Sequence, residues 1–158
     1  MASEDKPVEM NAVRPRLSRG REEALFLELL RTTDILSRRL TQVLKGAELS
    51  PNQYNVLRIL RGAPDGLPCG EIGNRMITRD PDITRLLDRL EKRALIERWR
   101  ESKDRRVVMA RITQTGLDLL AQLDEPVQET HRRQLGHLGD EQLNRLSELL
   151  QQSRAQIK

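Results

Sequence analysis

The chain has 158 residues, about the length of one domain, and its 37% of apolar residues is enough for a modest core. No apolar run approaches the roughly 18–20 residues of a membrane-spanning helix, and the polar first residues lack a secretory signal pattern, so we expect a cytoplasmic protein without a membrane partner. One cysteine and two histidines are too few for a disulfide or a Cys/His zinc site, so we expect no metal and no cofactor.

The first part of the chain predicts a tail followed by one long helix. Residues 1–20 show no sustained period and are interpreted as a flexible tail. Apolar residues then recur at spacings of three, four and seven from Leu25 to Val43, which predicts an amphipathic helix over 21–45. Gly46 is the expected left-handed cap at its end.

Two shorter helices are predicted next. The segment Ser-Pro-Asn-Gln at 50–53 forms a capping box with proline at the first helical position, so a helix should start there and stop at Gly62. A short third helix should begin near Pro68 and turn Ile72 and Met76 inward.

The fourth predicted helix has two contrasting faces. Asp80 is the expected N-cap, and an apolar stripe at helical spacing should be buried; it consists of Ile83, Leu86, Leu87 and Leu90. The opposite face is charged and contains Asp82, Arg85, Arg89 and either Lys92 or Arg93.

After this helix the apolar period changes from 3.6 to 2. Residues 95–100 and 106–112 are predicted to be two strands of a single hairpin, joined by a polar turn. A helix should then start at Thr113, with a candidate bend at Pro126. A last amphipathic helix is expected from Asp140 to about Gln156.

The positive charge is concentrated around this fourth helix and hairpin. Residues 75–111 contain twelve basic and seven acidic side chains, a net charge of +5, against sixteen and seventeen in the rest of the chain. Such a stretch is typical of a surface that neutralises phosphates, and its alternative is a solvated charged face. Two helices, a basic-faced helix and a hairpin, in this order, are typical of a winged helix-turn-helix.

The charged face of the fourth helix suits the major groove of DNA. Arg85 and Arg89 lie one turn apart, and arginine can bond to both O6 and N7 of guanine, so they are the predicted base readers. Asp82 can accept from N4 of cytosine, and Thr84 can reach a phosphate or a thymine methyl group.

The segment DRRVVMARIT at 104–113 resembles the D-x-R-x5-L-T wing signature of the MarR-type regulators, with Ile112 in the leucine position. Residues 83–91 are similar to the recognition helix of that family. The resemblance implies that Asp104 braces the wing and that Arg106 enters the minor groove, and Arg105 is a further DNA-contact candidate. The family usually has glycine at Ala94; if that position is left-handed, alanine costs about 1 kcal/mol and the turn should differ.

These observations predict a mainly α protein with a small β-hairpin wing, a winged helix-turn-helix flanked by N- and C-terminal dimerisation helices. The expected regions are a tail (1–20), a dimerisation helix (21–46), a DNA-binding domain (47–116) and C-terminal dimerisation helices (117–158). The end helices exceed what a compact winged helix needs to cover itself, which favours a homodimer, as the resemblance also implies.

We expect a homodimeric, sequence-specific transcriptional regulator that binds double-stranded DNA at a pseudo-palindromic operator. A repressor is favoured over an activator. The resemblance implies release by a small-molecule effector, but a ligand-independent regulator stays open, as do a redox role of Cys69, the operator and the regulated genes. The alternative is a winged-helix module for protein–protein assembly. The sequence contains no recognisable nucleophile–base pair and no phosphate-binding loop, so we do not expect an enzyme.

Overall fold

The computed structural model of the chain describes residues 20–157, so the tail predicted over 1–20 lies, apart from Gly20, outside the described residues. The elements are α1 (Arg21–Lys45), α2 (Pro51–Arg61), β1 (Leu67–Pro68), α3 (Cys69–Arg75), α4 (Ile83–Lys92), β2 (Ile96–Arg100), β3 (Val108–Ile112), α5 (Gln114–Leu135), a 3-10 turn (Gly136–Leu138) and α6 (Gly139–Ala155). Within 20–157, no helix combines the length and the apolar character that crossing a membrane requires. The described residues fall into two units, 20–34 and 35–157.

The described part of the first unit is the beginning of α1. Glu22 and Glu23 lie in its first turn, where carboxylates favour the positive end of the helix dipole. Its large apolar side chains are more than half exposed: Leu25 (58%), Phe26 (58%) and Leu30 (52%). This face therefore has the composition of a core surface without being buried in the single chain.

The core lies in the second unit and consists mainly of leucine. One cluster collects buried side chains from the end of α1 through α5, among them Leu44, Leu57, Leu60, Ile72, Leu87, Leu90, Ile96 and Leu120. Three residues of the apolar stripe predicted on α4 are buried in this cluster, Leu86, Leu87 and Leu90, and the fourth, Ile83, is partly buried and packs against it. The predicted helices and the mainly α fold class are confirmed, and α5 runs through Pro126 as one helix.

The wing is a sheet of three antiparallel strands in the order β1-β3-β2: the predicted hairpin is present as β2 and β3, and a third strand that the sequence did not predict pairs with β3. The added strand is β1, in which Leu67 lies opposite Ala110 and Pro68 opposite Met109. Two residues are too few to show a period of two, so the sequence pattern does not reveal this strand.

The ends of α1 and α2 depend on local hydrogen bonds. The capping box is present: Ser50 Oγ accepts from the Gln53 amide at 3.2 Å, and the Ser50 amide donates to Gln53 Oε1 at 2.9 Å. The left-handed residue after α1 is Glu48 (φ 54°), so the prediction of Gly46 was wrong. The amide of Leu49 donates to the Leu44 carbonyl, a Schellman turn whose two apolar residues are both buried and so determine where the helix stops.

Ala94, which follows α4, is also left-handed, with φ of 54°. Its amide donates to the Glu91 carbonyl at 2.8 Å, and the Leu95 amide donates to the Leu90 carbonyl at 3.0 Å. These two bonds form a Schellman turn. The expectation of an altered turn was therefore wrong, because alanine is held in the conformation that favours glycine.

We expect Ala94→Gly to stabilise the protein by about 1 kcal/mol, because glycine adopts the left-handed conformation without the strain that alanine has there. The larger conformational entropy of glycine in the unfolded chain offsets part of this gain. The thermal midpoint should rise by about 2–4 °C. The control is Ala121→Gly at an exposed position of helix α5, which should lower stability by about 0.5–1 kcal/mol. Denaturant unfolding of both variants checks this, and an unchanged or lowered midpoint for Ala94→Gly would contradict the strain argument.

Candidate nucleic-acid interface

The N-terminus of α4 is capped by Asp82 rather than by Asp80, which corrects the prediction. Asp82 Oδ1 accepts from the Arg85 amide at 3.2 Å. Asp80 instead accepts from the Asp82 amide at 3.0 Å and from Asn52 Nδ2 at 2.9 Å. These bonds, that from Asn52 first, lower the pKa of the Asp80 carboxyl, so Asp80 stays ionised and ties α2 to the turn before α4.

The solvent face of α4 presents the residues predicted to read bases. The side chain of Arg85 is 74% exposed, and Thr84 and Arg89 are also exposed. Asp82 lies beside Arg85, with 3.4 Å between its Oδ2 and Arg85 Nε. Asp82 therefore both caps the helix and pairs with Arg85.

Arg93 lies beside Arg89 and Lys92 at the end of α4, but it is half-buried, whereas Lys92 is exposed. Arg93 Nη1 donates to the Glu48 carbonyl at 2.7 Å, and Nη2 donates to the Ala47 carbonyl at 3.0 Å. Lys92 lies three residues after Arg89 and Arg93 lies four residues after it. Both spacings are compatible with the charged face of a helix, so the sequence left Lys92 and Arg93 as alternatives.

The turn between β2 and β3 is organised around Asp104. Its Oδ1 accepts from the Arg106 amide at 3.0 Å, and its carbonyl accepts from the Val107 amide at 3.0 Å. Arg100 Nη1 donates to the Arg105 carbonyl at 2.8 Å. The side chains of Arg105 and Arg106 are exposed at the tip of the wing.

Arg98 connects the wing to α4, a role that the sequence analysis did not identify. It lies on β2, and its Nη2 donates to Asp88 Oδ1 at 2.5 Å and to Glu91 Oε2 at 2.6 Å. The bond to Glu91 is the main cause of the raised pKa of Arg98. Asp88 and Glu91 are visible in the sequence as two acidic residues three apart on α4. Their partner Arg98 lies seven to ten residues further along the chain, so the spacing alone does not identify it.

The side chain of Trp99 lies on the face of the sheet shared with Met109 and Arg111. The Arg111 guanidinium lies over its ring at 5.4 Å from the centroid and also pairs with Glu97. A Cβ at Gly66 (φ +86°) would lie 2.6 Å from the Trp99 ring, so glycine is required there. Because the chain has one tryptophan, its fluorescence reports on the wing alone.

A cleft of about 270 Å³ lies in the second unit, next to the turn that leads into α4. Its lining includes Leu40, Tyr54, Arg58, Ile77 and His131. The Arg58 guanidinium lies 5.9 Å from the centre of the Tyr54 ring. The sequence did not reveal this cleft because its residues come from distant parts of the chain.

Cys69 and the metal-binding residue types add no further site among residues 20–157. Cys69 is half-buried, and desolvation raises the pKa of its thiol, which keeps it protonated near neutral pH. Within the same part of the chain, no group of three His, Cys, Asp or Glu side chains could hold a metal ion.

Comparison with known proteins supports this reading of the fold. The MarR family profile matches residues 49–108. The chain is 30% identical to the HTH-type transcriptional regulator PecS of Dickeya dadantii (strain 3937) over 77% of this chain and 75% of that one. It is 42% identical to a MarR transcription factor from Planctomyces limnophilus, with a TM-score of 0.66, covering 86% of this chain and 98% of that one.

A mutant MarR from E. coli, solved in complex with operator DNA, has the same fold, with a TM-score of 0.75 and 24% identity over 82% of this chain and 93% of that one. A capped helix with a cationic face, followed by a wing, defines a winged helix-turn-helix, a DNA-binding class of transcriptional regulator. The chain belongs to the MarR family.

Proposed function

We propose that this protein is a homodimeric repressor that binds a pseudo-palindromic operator and is released by a small molecule. The observation that carries the proposal is the orientation of α4. Leu86, Leu87 and Leu90 are buried and fix the helix, so Arg85 and Arg89 face outward on a rigid support. The groove of B-form DNA admits one such helix, and bidentate arginine contacts specify guanine.

The wing supplies the second proposed contact. Arg106 is held by the Asp104 turn, which would present its side chain to the minor groove beside the major-groove contact of α4. Arg105 and Lys92 would contact phosphates. No catalytic role is proposed for any residue.

The proposed dimer is supported by apolar surface that the single chain does not bury. In α6, which is described throughout, no residue is buried, and Leu146 (41%) and Leu149 (44%) are exposed. The beginning of α1 independently exposes Leu25, Phe26 and Leu30. A second copy would bury both surfaces and provide two recognition helices about one turn of DNA apart.

The proposed effector site is the cleft lined by Tyr54, Arg58 and His131. Its apolar walls and cationic Arg58 suit a small, partly apolar anion. Asn52 and Asn55 also line it, and they bond to Asp80 and to the Ile77 amide in the turn before α4. A bound ligand would therefore act on the segment that positions α4.

Selection of bound DNA from a random library by the purified protein tests this function. We expect an enriched sequence with twofold symmetry, and the occurrence of that sequence upstream of genes would identify targets. If no sequence is enriched over random DNA, the alternative of a protein–protein assembly module gains support. A single asymmetric half-site would contradict the dimer.

We expect Leu149→Ala to weaken the dimer by about 1–2 kcal/mol, or roughly 5–30-fold, because each partly exposed leucine is buried twice in a symmetric interface. The matched control is Gln152→Ala, a change at an exposed polar residue of the same helix. Sedimentation equilibrium of both variants measures the dissociation constant. A wild-type protein that is a folded monomer at micromolar concentration would rule out the proposed dimer.

A further inference from the structure

The guanidinium of Arg93 connects the ends of two helices. Its two terminal nitrogens donate to successive carbonyls in the turn after α1, Nη1 to Glu48 at 2.7 Å and Nη2 to Ala47 at 3.0 Å. Arg93 itself is the residue that ends α4. Carbonyls at a helix C-terminus carry partial negative charge, and the planar guanidinium can bind two of them in one geometry.

Both ends that Arg93 joins are fixed. Each is a Schellman turn with a left-handed residue, Glu48 after α1 and Ala94 after α4, both with φ of 54°. The residues that follow, Leu49 and Leu95, are 4% and 3% exposed and anchor the turns in the core. Arg93 therefore bridges two rigid helix ends, so its two bonds constrain the angle between the end of α1 and α4.

We propose that Arg93 is a positioning residue that sets the distance between the two recognition helices of the dimer and so selects the spacing of the operator half-sites. This inference rests on the proposed function. In a twofold dimer, a change in the direction of α4 displaces both recognition helices symmetrically. Base pairs are about 3.4 Å apart along the DNA, so a displacement of about 1.7 Å per helix corresponds to a change of one base pair.

The alternative role of Arg93 is a phosphate contact, and the two roles predict different results. A lost phosphate contact lowers affinity evenly for all operators. A lost positioning contact lowers the preference for one spacing, because displacing the recognition helices to fit half-sites at a neighbouring spacing then requires less free energy. The ratio of affinities between spacings separates the two roles.

The experiment uses the full-length protein and the operator found by selection, with one or two base pairs inserted or removed at its centre. Binding of labelled duplexes is followed by fluorescence anisotropy. We expect wild type to prefer the native spacing by about tenfold or more over each change of one base pair. In Arg93→Met this preference should fall at least about threefold. The control Lys92→Met removes a cation from the same turn and should weaken binding at every spacing while keeping the preference.

Each outcome decides the proposal. If Arg93→Met does not fold by circular dichroism, Arg93→Lys, which keeps the charge but not the planar pair of donors, should show the reduced preference. If the folded variants keep the wild-type preference for the native spacing, the inference is overturned and the proposed function stands. The same holds if the wild-type protein binds its operator specifically but equally well at every spacing. If wild type does not distinguish its operator from random DNA, the proposed function itself fails.

Discussion

Raising the salt concentration from about 50 to 200 mM should weaken operator binding by roughly 10³–10⁵-fold, because we expect the dimer to neutralise about 6–10 phosphates. Five exposed cations on α4 and the wing are proposed to contact DNA, at bases or at phosphates, and are expected to contribute to this neutralisation: Arg85, Arg89, Lys92, Arg105 and Arg106. Each neutralised phosphate releases a condensed counterion, so log K should fall against log salt with a slope near −5 to −9.

The slope is measured by titrating a labelled operator at five or six salt concentrations. Arg106→Ala should reduce its magnitude by about 1 per wing, or about 2 per dimer. The matched control is Arg132→Ala on α5, whose guanidinium pairs with Glu129 and is assigned no DNA contact, so the slope should not change. A wild-type slope near zero would contradict DNA binding and favour the assembly module.

Much of the fold was predictable because its signals are local. The stripe Leu86, Leu87 and Leu90 specifies both the type of α4 and the face that it buries, since only a helical period brings these residues together. The capping box at Ser50 likewise depends on residues three apart. The cationic face of α4 follows from the same period, which is why Arg85 and Arg89 could be proposed as a pair.

The features that were missed depend on contacts between distant residues. Strand β1 has two residues and forms only because β3 offers it an edge, and the bonds of Arg98 to Asp88 and Glu91 join two elements. The Arg93 bonds to Ala47 and Glu48 span more than forty residues. Gly46 and Asp80 are residue types that often cap helices. Burial of Leu49 instead places the left-handed residue after α1 at Glu48. Asp80 bonds to Asn52, and Asp82 caps α4.

Base reading and wing contact should differ in their effect on sequence preference. We expect Arg89→Ala to cost about 1–3 kcal/mol per half-site, with relaxed preference at one base position, because it removes a bidentate contact in the major groove. Arg106→Ala should weaken binding more evenly across operators, since the minor groove offers a degenerate pattern and, in A·T tracts, a negative potential. The major-groove preference should remain in that variant.

Asp104→Ala separates the position of Arg106 from its charge. Asp104 accepts from the Arg106 amide and shapes the turn of the wing, so its loss should give a weaker form of the Arg106→Ala effect without removing a cation. Titration of all three variants against single-base operator mutants at two salt concentrations measures affinity, preference and slope together. If Arg106→Ala changed the base preference while Arg89→Ala only lowered affinity evenly, the two proposed roles would have to be exchanged, because uniform loss is the mark of a contact that reads no base.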